Sequence, residues 1–211
     1  MAKANNGILG AVSGKVGNLI FYIHAGEACV RTAGKRRAAL TPAESINTEK
    51  FALLMKLFRP IKPFLKLGFS CPDCSSKQNY HNRATSFNSK HAIEMVNGRQ
   101  VIAFEKVLLS QGTGLQATDA QASLVERTLQ FSWTYDPVTD WEAVADQAML
   151  MAYFPEDNYA VYELAGSKRA ACADRLQLPN NLANQRMEIY IAFASWDRER
   201  IADSVYLGRI N

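Results

Sequence analysis

Apolar residues recur along this chain with two different periods, and the change between them divides it. Residues 16–22 carry Val16, Leu19, Ile20, Phe21 and Tyr22, a β-branched and aromatic run that predicts a strand. Residues 28–32 supply a partner across His24-Ala25-Gly26, so a hairpin is the simplest reading, and Gly34-Lys35-Arg36-Arg37 ends it. Thr41-Pro42-Ala43-Glu44 then marks a helix start. The threonine hydroxyl accepts from the third helical amide, proline at the first position loses no needed N–H, and Glu44 reaches back to the Thr41 amide. Phe51, Leu54, Met55 and Phe58 follow at helical spacing as one apolar face, and Pro60 and Pro63 end or kink the helix. A second helix is predicted over residues 79–95, with Ala84, Phe87, His91 and Met95 three or four apart. Asn97-Gly98 closes it or makes a tight turn, and a strand follows over 101–109.

From about residue 115 the period becomes two. Strands are predicted over 123–134, 148–154, 159–164, 170–178, 187–195 and 205–210. In the first, Leu129, Phe131 and Trp133 share one face and Gln130, Ser132 and Thr134 the other, which is the alternation of a half-buried strand. Six or seven short strands in this span predict an antiparallel β-sandwich. Phe131-Ser132-Trp133, the Leu176-Gln177-Leu178-Pro179 corner and Ile189-Tyr190-Ile191-Ala192-Phe193 resemble the fibronectin type III layout. The expected fold is therefore α+β. An N-terminal domain over residues 1–114, with a glycine-rich arm, a basic hairpin, two helices and a strand, precedes a fibronectin-III-like sandwich over 115–211.

The glycine-rich opening suggests a phosphate loop, but its spacing excludes one. Three residues rather than four separate Gly10 from Gly14-Lys15, and Val16 stands where Ser or Thr is needed to reach magnesium. No apolar run is long enough to span a bilayer, and the polar residues after Lys3 are unlike a secretory signal, so a cytoplasmic or particle-associated protein without membrane contact is expected.

Net charge is +4, unevenly spread. Up to Gly68, eleven Lys and Arg face three acids, whereas from Gln121 onward eight face thirteen. Such asymmetry points to ends that meet different partners, or each other. The basic residues Lys15, Arg31, Lys35, Arg36 and Arg37 on or beside the hairpin make a candidate nucleic-acid surface, because clustered cations release counterions from phosphates.

Cys71 and Cys74 have CxxC spacing, but His81 and His91 lie too far apart to complete a zinc site, so the pair is only a weak metal candidate. Asp136, Asp140, Glu142 and Asp146 read as a solvated polar loop, and nothing matches a calcium loop, a nucleophile elbow or a zinc-protease helix. A protein without catalysis and without a cofactor is expected. Trp133 is assigned to the core; Trp141 and Trp196, flanked by charges, are candidates for exposed contact, including with carbohydrate.

Several residues together carry a family likeness: Asn6-Gly7-Ile8-Leu9-Gly10, Ser13-Gly14-Lys15-Val16-Gly17-Asn18, Phe21, Gly26, Val30-Arg31, Thr41-Pro42-Ala43, Phe51-Ala52 and Gly68-Phe69. Ala84, Phe87-Asn88, Ala92-Ile93, Val107-Leu108-Leu109-Ser110, Gly112 and Ser204-Val205-Tyr206-Leu207-Gly208 continue it. With this pattern the chain resembles an uncharacterised bacterial domain-of-unknown-function family across nearly its whole length; Glu44 and Thr48 depart from it, and the CxxC is a local elaboration. The arginine-bearing hairpin followed by Thr-Pro-Ala is also similar to small phage structural proteins. The family likeness brings no known activity; the glycine-rich arm, which gains order only when something pairs with it, points to a structural or interaction protein that contacts a partner protein or further copies of itself, and the alternative is nucleic-acid binding through the basic hairpin.

Overall fold

The computed structural model describes residues 3–8, 11–24, 26–35, 39–70, 79–138, 141–182 and 184–211. The chain divides into two compact units, residues 1–45 and 46–211.

The first unit is a four-stranded antiparallel meander of β1 (Lys3–Ile8), β2 (Val12–Val16), β3 (Leu19–His24) and β4 (Glu27–Thr32), in that order across the sheet. The glycine-rich opening is thus two strands rather than an arm, and the predicted 16–22 strand is divided by a turn. Val16 pairs with Leu19, so Gly17-Asn18 forms the two-residue loop, and Gly17 takes the positive φ of +55° that a tight hairpin asks of its first central residue. The expected hairpin across residues 24–26 is present, with Leu19 opposite Thr32 and His24 opposite Glu27.

The predicted helix start is present. In α1 (Pro42–Phe58) the Glu44 amide donates to Thr41 Oγ1 at 3.3 Å, and the Thr41 amide donates to Glu44 Oε2 at 2.9 Å. Its buried face is Leu54, Leu57 and Phe58, whereas Phe51 is exposed. Pro63 opens α2 (Lys62–Gly68). Then α3 (Tyr80–His91), capped by the Asn79 side chain accepting from the Asn82 amide, stops four residues short of the expected end. Ile93 to Val96 instead form β5 (Ile93–Val96), which pairs with β6 (Arg99–Ile102) across Asn97-Gly98. Both turn residues have positive φ, so the hairpin signal overrides a helical period that Met95 alone extended.

The remaining strands are β7 (Thr118–Val125), β8 (Thr128–Thr134), β9 (Gln147–Phe154), β10 (Tyr159–Glu163), β11 (Ala173–Gln177), β12 (Met187–Ala194) and β13 (Val205–Ile210). They make two antiparallel sheets, β10-β9-β12-β13 and β11-β8-β7. The run over 123–134 is a hairpin rather than one strand, turning at Glu126-Arg127 between Val125 and Thr128.

Strands β9 and β12 are buried along both faces, which only a three-layer arrangement explains. Leu150, Ala152, Ile189, Ile191 and Phe193 pack with Leu129, Phe131 and Trp133 of β8 in one core. Their alternates Met149, Met151, Tyr190 and Ala192 pack with Leu54, Leu57, Phe64, Leu65 and Ala84 of the three helices in the other. Residues 46–114 and 115–211, expected as parts of separate domains, therefore share one of these cores. Asn88, fully buried on α3, ties the helical layer together. Its Nδ2 donates to the carbonyls of Ala84 and Leu108 at 2.9 and 2.8 Å, and its Oδ1 accepts from the Leu108 amide at 2.9 Å.

Candidate functional site

The register of the N-terminal sheet sorts its side chains into two unlike faces. Directly paired residues in an antiparallel ladder point the same way, and each strand alternates with period two. Lys15 pairs with Ile20 and Ile20 with Arg31, so Ser13, Lys15, Ile20, Tyr22, His24, Glu27, Cys29 and Arg31 share one face. The other carries Val12, Gly14, Val16, Leu19, Phe21, Ile23, Ala28, Val30 and Thr32, without a single charge. Val16, Leu19, Ile23 and Val30 of that face are 54, 42, 52 and 56% exposed. The apolar alternates that a sheet ordinarily turns to a core are here turned to water.

Among the basic candidates, Lys15 and Arg31 stand on the polar face, one strand apart on either side of Ile20, and Lys35 is exposed beyond β4. Arg36 and Arg37 lie outside the described residues, as do Cys71 and Cys74. No helix is long and apolar enough to cross a membrane, and no group of three His, Cys, Asp or Glu side chains is placed to hold a metal ion, both among the described residues.

A second region lies in the 46–211 unit, where the sequence reads the acids as solvated and Trp141 as an exposed contact. Asp146 is 6% exposed, and burial pushes its carboxyl above the usual carboxylate range, against the pull of the Arg169 guanidinium. Arg169 is fully buried. Its Nη2 lies 4.0 Å from Asp146 Oδ2 and donates to the Leu115 carbonyl at 2.5 Å, Nη1 donates to the Gln116 carbonyl at 3.1 Å, and the guanidinium stacks 3.7 Å from the Phe193 ring centre. Trp133, in the core as expected, donates Nε1–H to the Arg169 carbonyl at 2.7 Å and meets Phe193 edge-on. Beside this network the short 3₁₀ turn Trp141–Ala143 and Arg200 wall a cleft of about 480 Å³. Trp141 and Trp196 are 65 and 74% exposed. Asp140 lies outside the described residues.

A third polar cluster, on β12 and β13, also escapes the sequence. Glu188 is fully buried within a strand of otherwise apolar residues, accepting from Arg209 Nε at 2.9 Å, Arg186 Nη2 at 3.1 Å and the Tyr206 hydroxyl at 2.6 Å. Burial and that bond to Glu188 raise the Tyr206 hydroxyl well above the usual tyrosine range. With every acceptor oxygen of Glu188 engaged, the cluster reads as a clamp between strands. The only signal of it in the sequence is a lone acid in an apolar run.

The likeness to an uncharacterised family is shown for most of the chain. The model of a family of unknown function (DUF6266) matches residues 10–208. No curated protein and no solved structure matches the chain.

Proposed function

This chain belongs to that family of unknown function, and from the two-faced sheet of residues 12–32 we propose that it is a non-enzymatic interaction protein. It self-associates by packing the apolar face of β2, β3 and β4 on the same face of a second copy. The observation that carries this reading is the uncharged, half-exposed surface centred on Leu19, Phe21 and Ile23. A face with no charge is self-complementary: under a two-fold axis it brings apolar residues together about 10 Å apart and leaves Lys15 and Arg31 on the outer sides. The seven strands β7 to β13, in sheets of three and four, support the fibronectin-III-like reading of residues 115–211 as a spacing element. A structural role like that of small phage proteins is the finer form of the same proposal, supported by the hairpin followed by the Thr41-Pro42-Ala43 helix start. Light scattering of the full chain over a rising concentration series tests it: the mass climbs from monomer toward dimer if the face is used, and stays at the monomer value if it is not.

The polar face favours one second reading, nucleic-acid binding, because the register sets Lys15 and Arg31 on the same side of the sheet. Its signature is retention on duplex DNA at about 50 mM salt that weakens steeply as salt rises. Absence of retention there removes it.

A further inference from the structure

The Trp141 cleft combines three properties that belong to one class of ligand. First, Trp141 offers a broad indole face to solvent from a short, anchored turn, in which the Asp146 amide donates to the Ala143 carbonyl at 3.0 Å and Arg200 Nη2 to the Glu142 carbonyl at 3.4 Å. Second, Asp146 lines the same cleft although it is more than nine-tenths buried, and among the described residues its carboxylate accepts no hydrogen bond. Its ion-pair partner, the Arg169 guanidinium, stands at 4.0 Å, beyond hydrogen-bond distance, so the carboxylate keeps acceptor capacity, and the open side of the cleft is where a donor can come from. Third, the charges balance. Glu142 is paired with Arg200 at 3.5 Å and Asp146 stands 4.0 Å from Arg169, so each acid of the lining has a base beside it.

A balanced site discriminates against charged ligands. Phosphates would meet the Glu142 and Asp146 carboxylates, and polyamines would meet the Arg200 guanidinium at the rim. What suits a flat aromatic face, a buried acceptor and a paired donor–acceptor rim is a neutral molecule with an apolar ring face and a girdle of hydroxyls. We propose that this cleft binds a neutral carbohydrate, with the C–H face of one pyranose ring stacked on Trp141 and a hydroxyl donating to Asp146. Arg169 acts one step behind, since its bonds to the carbonyls of Leu115 and Gln116 hold the cleft floor against the carboxylate. Glu142 and Arg200, both more than half exposed, supply an acceptor and a donor at the rim.

The test uses the full chain with maltotriose, cellotriose and chitotriose in saturation-transfer NMR and titration. At least one trisaccharide is expected to bind with a dissociation constant on the order of 1 mM, through ring protons on one face. Trp141→Ala, at an exposed position where folding is not at stake, should weaken that binding at least tenfold. Asp146→Asn, which keeps the shape and loses the charge-assisted acceptor, should weaken it by a similar factor. Trp196→Ala, an exposed tryptophan outside the cleft lining, should leave it unchanged. The proposal is overturned if none of the three sugars binds at about 20 mM, if Trp141→Ala leaves binding intact, if Trp196→Ala weakens it equally, or if adenosine monophosphate or spermine binds more tightly than every sugar.

Discussion

Replacing Ile23 and Val30 together by threonine should abolish self-association without unfolding the N-terminal sheet. Threonine keeps the β-branch that suits a strand, so the perturbation falls on the exposed face rather than on backbone preference. Val16, Leu19, Ile23 and Val30 are 54, 42, 52 and 56% exposed, so each has about half its side chain left to cover. Fully burying such a side chain is worth about 1.5–3 kcal/mol, which makes the uncovered half worth about 1 kcal/mol. Four residues on each of two copies give about 8 kcal/mol of gross driving force, against at least about 4 kcal/mol for the lost freedom of association. The net of about 4 kcal/mol corresponds to a dissociation constant of about 1 mM, tighter once the half-buried Val12 and Phe21 join. In a two-fold interface each substitution counts twice. The double threonine variant therefore loses about 3 kcal/mol, on the order of 10²-fold in affinity. Sedimentation equilibrium reads this directly, with loading concentrations reaching about 1 mM to populate the dimer. A wild-type mass that stays monomeric throughout, or a double variant that associates like the wild type, would refute the reasoning.

Three further outcomes follow from the larger unit. Asn88→Ala removes two hydrogen bonds that tie α3 to Leu108 and one to the Ala84 carbonyl within α3, and leaves the Leu108 amide and carbonyl without those partners, so unfolding in urea should show a loss of about 2–4 kcal/mol; a loss below about 1 kcal/mol would contradict the role of Asn88 in tying the helical layer together. Gly112→Ala places a Cβ 2.2 Å from the Ile201 carbonyl oxygen, where backbone has to give way, so the melting temperature should fall by several degrees, in line with about 1–3 kcal/mol of overpacking. An unshifted transition would count against that close approach. Asp146 has a folded-state pKa raised by burial, so its contribution to stability is fully present below the unfolded carboxylate value near 3.9 and is lost as pH rises through the folded value. Stability of Asp146→Asn relative to wild type should therefore increase from about pH 3 to pH 7, and a flat difference across that window would show that the carboxylate is not desolvated.

How much of this was legible beforehand depends on the range of the interaction. The Thr41–Glu44 cap, the His24–Glu27 hairpin and the alternation of Leu129, Phe131 and Trp133 all rest on neighbours within a few residues, and each was readable from the sequence. One local signal was outweighed in reading rather than absent: the two-residue hairpin turn Gly17-Asn18 lay inside a segment whose apolar content suggested one longer strand. Asn97-Gly98 was readable as a tight turn, but the helical spacing of Met95 hid the strand before it. The candidate site was less accessible. Trp141 stood out as an exposed aromatic, but Asp146 looked like one more solvated acid in a polar loop. Its burial comes from Arg169 and from the cleft floor at Leu115 and Gln116, more than twenty residues away on either side.

By itself, then, the sequence determined where most strands and helices begin, which family the chain resembles, and that its positive charge gathers toward one end. Tertiary structure decided that β9 and β12 are covered on both faces, that Asn88 and Glu188 are interior polar groups with full sets of partners, and that the apolar face of residues 12–32 is left in water. Caps and turns are set by backbone geometry over three or four residues, which composition encodes directly. Burial is a property of what lies across the space from a side chain, and that is known only once distant segments have met.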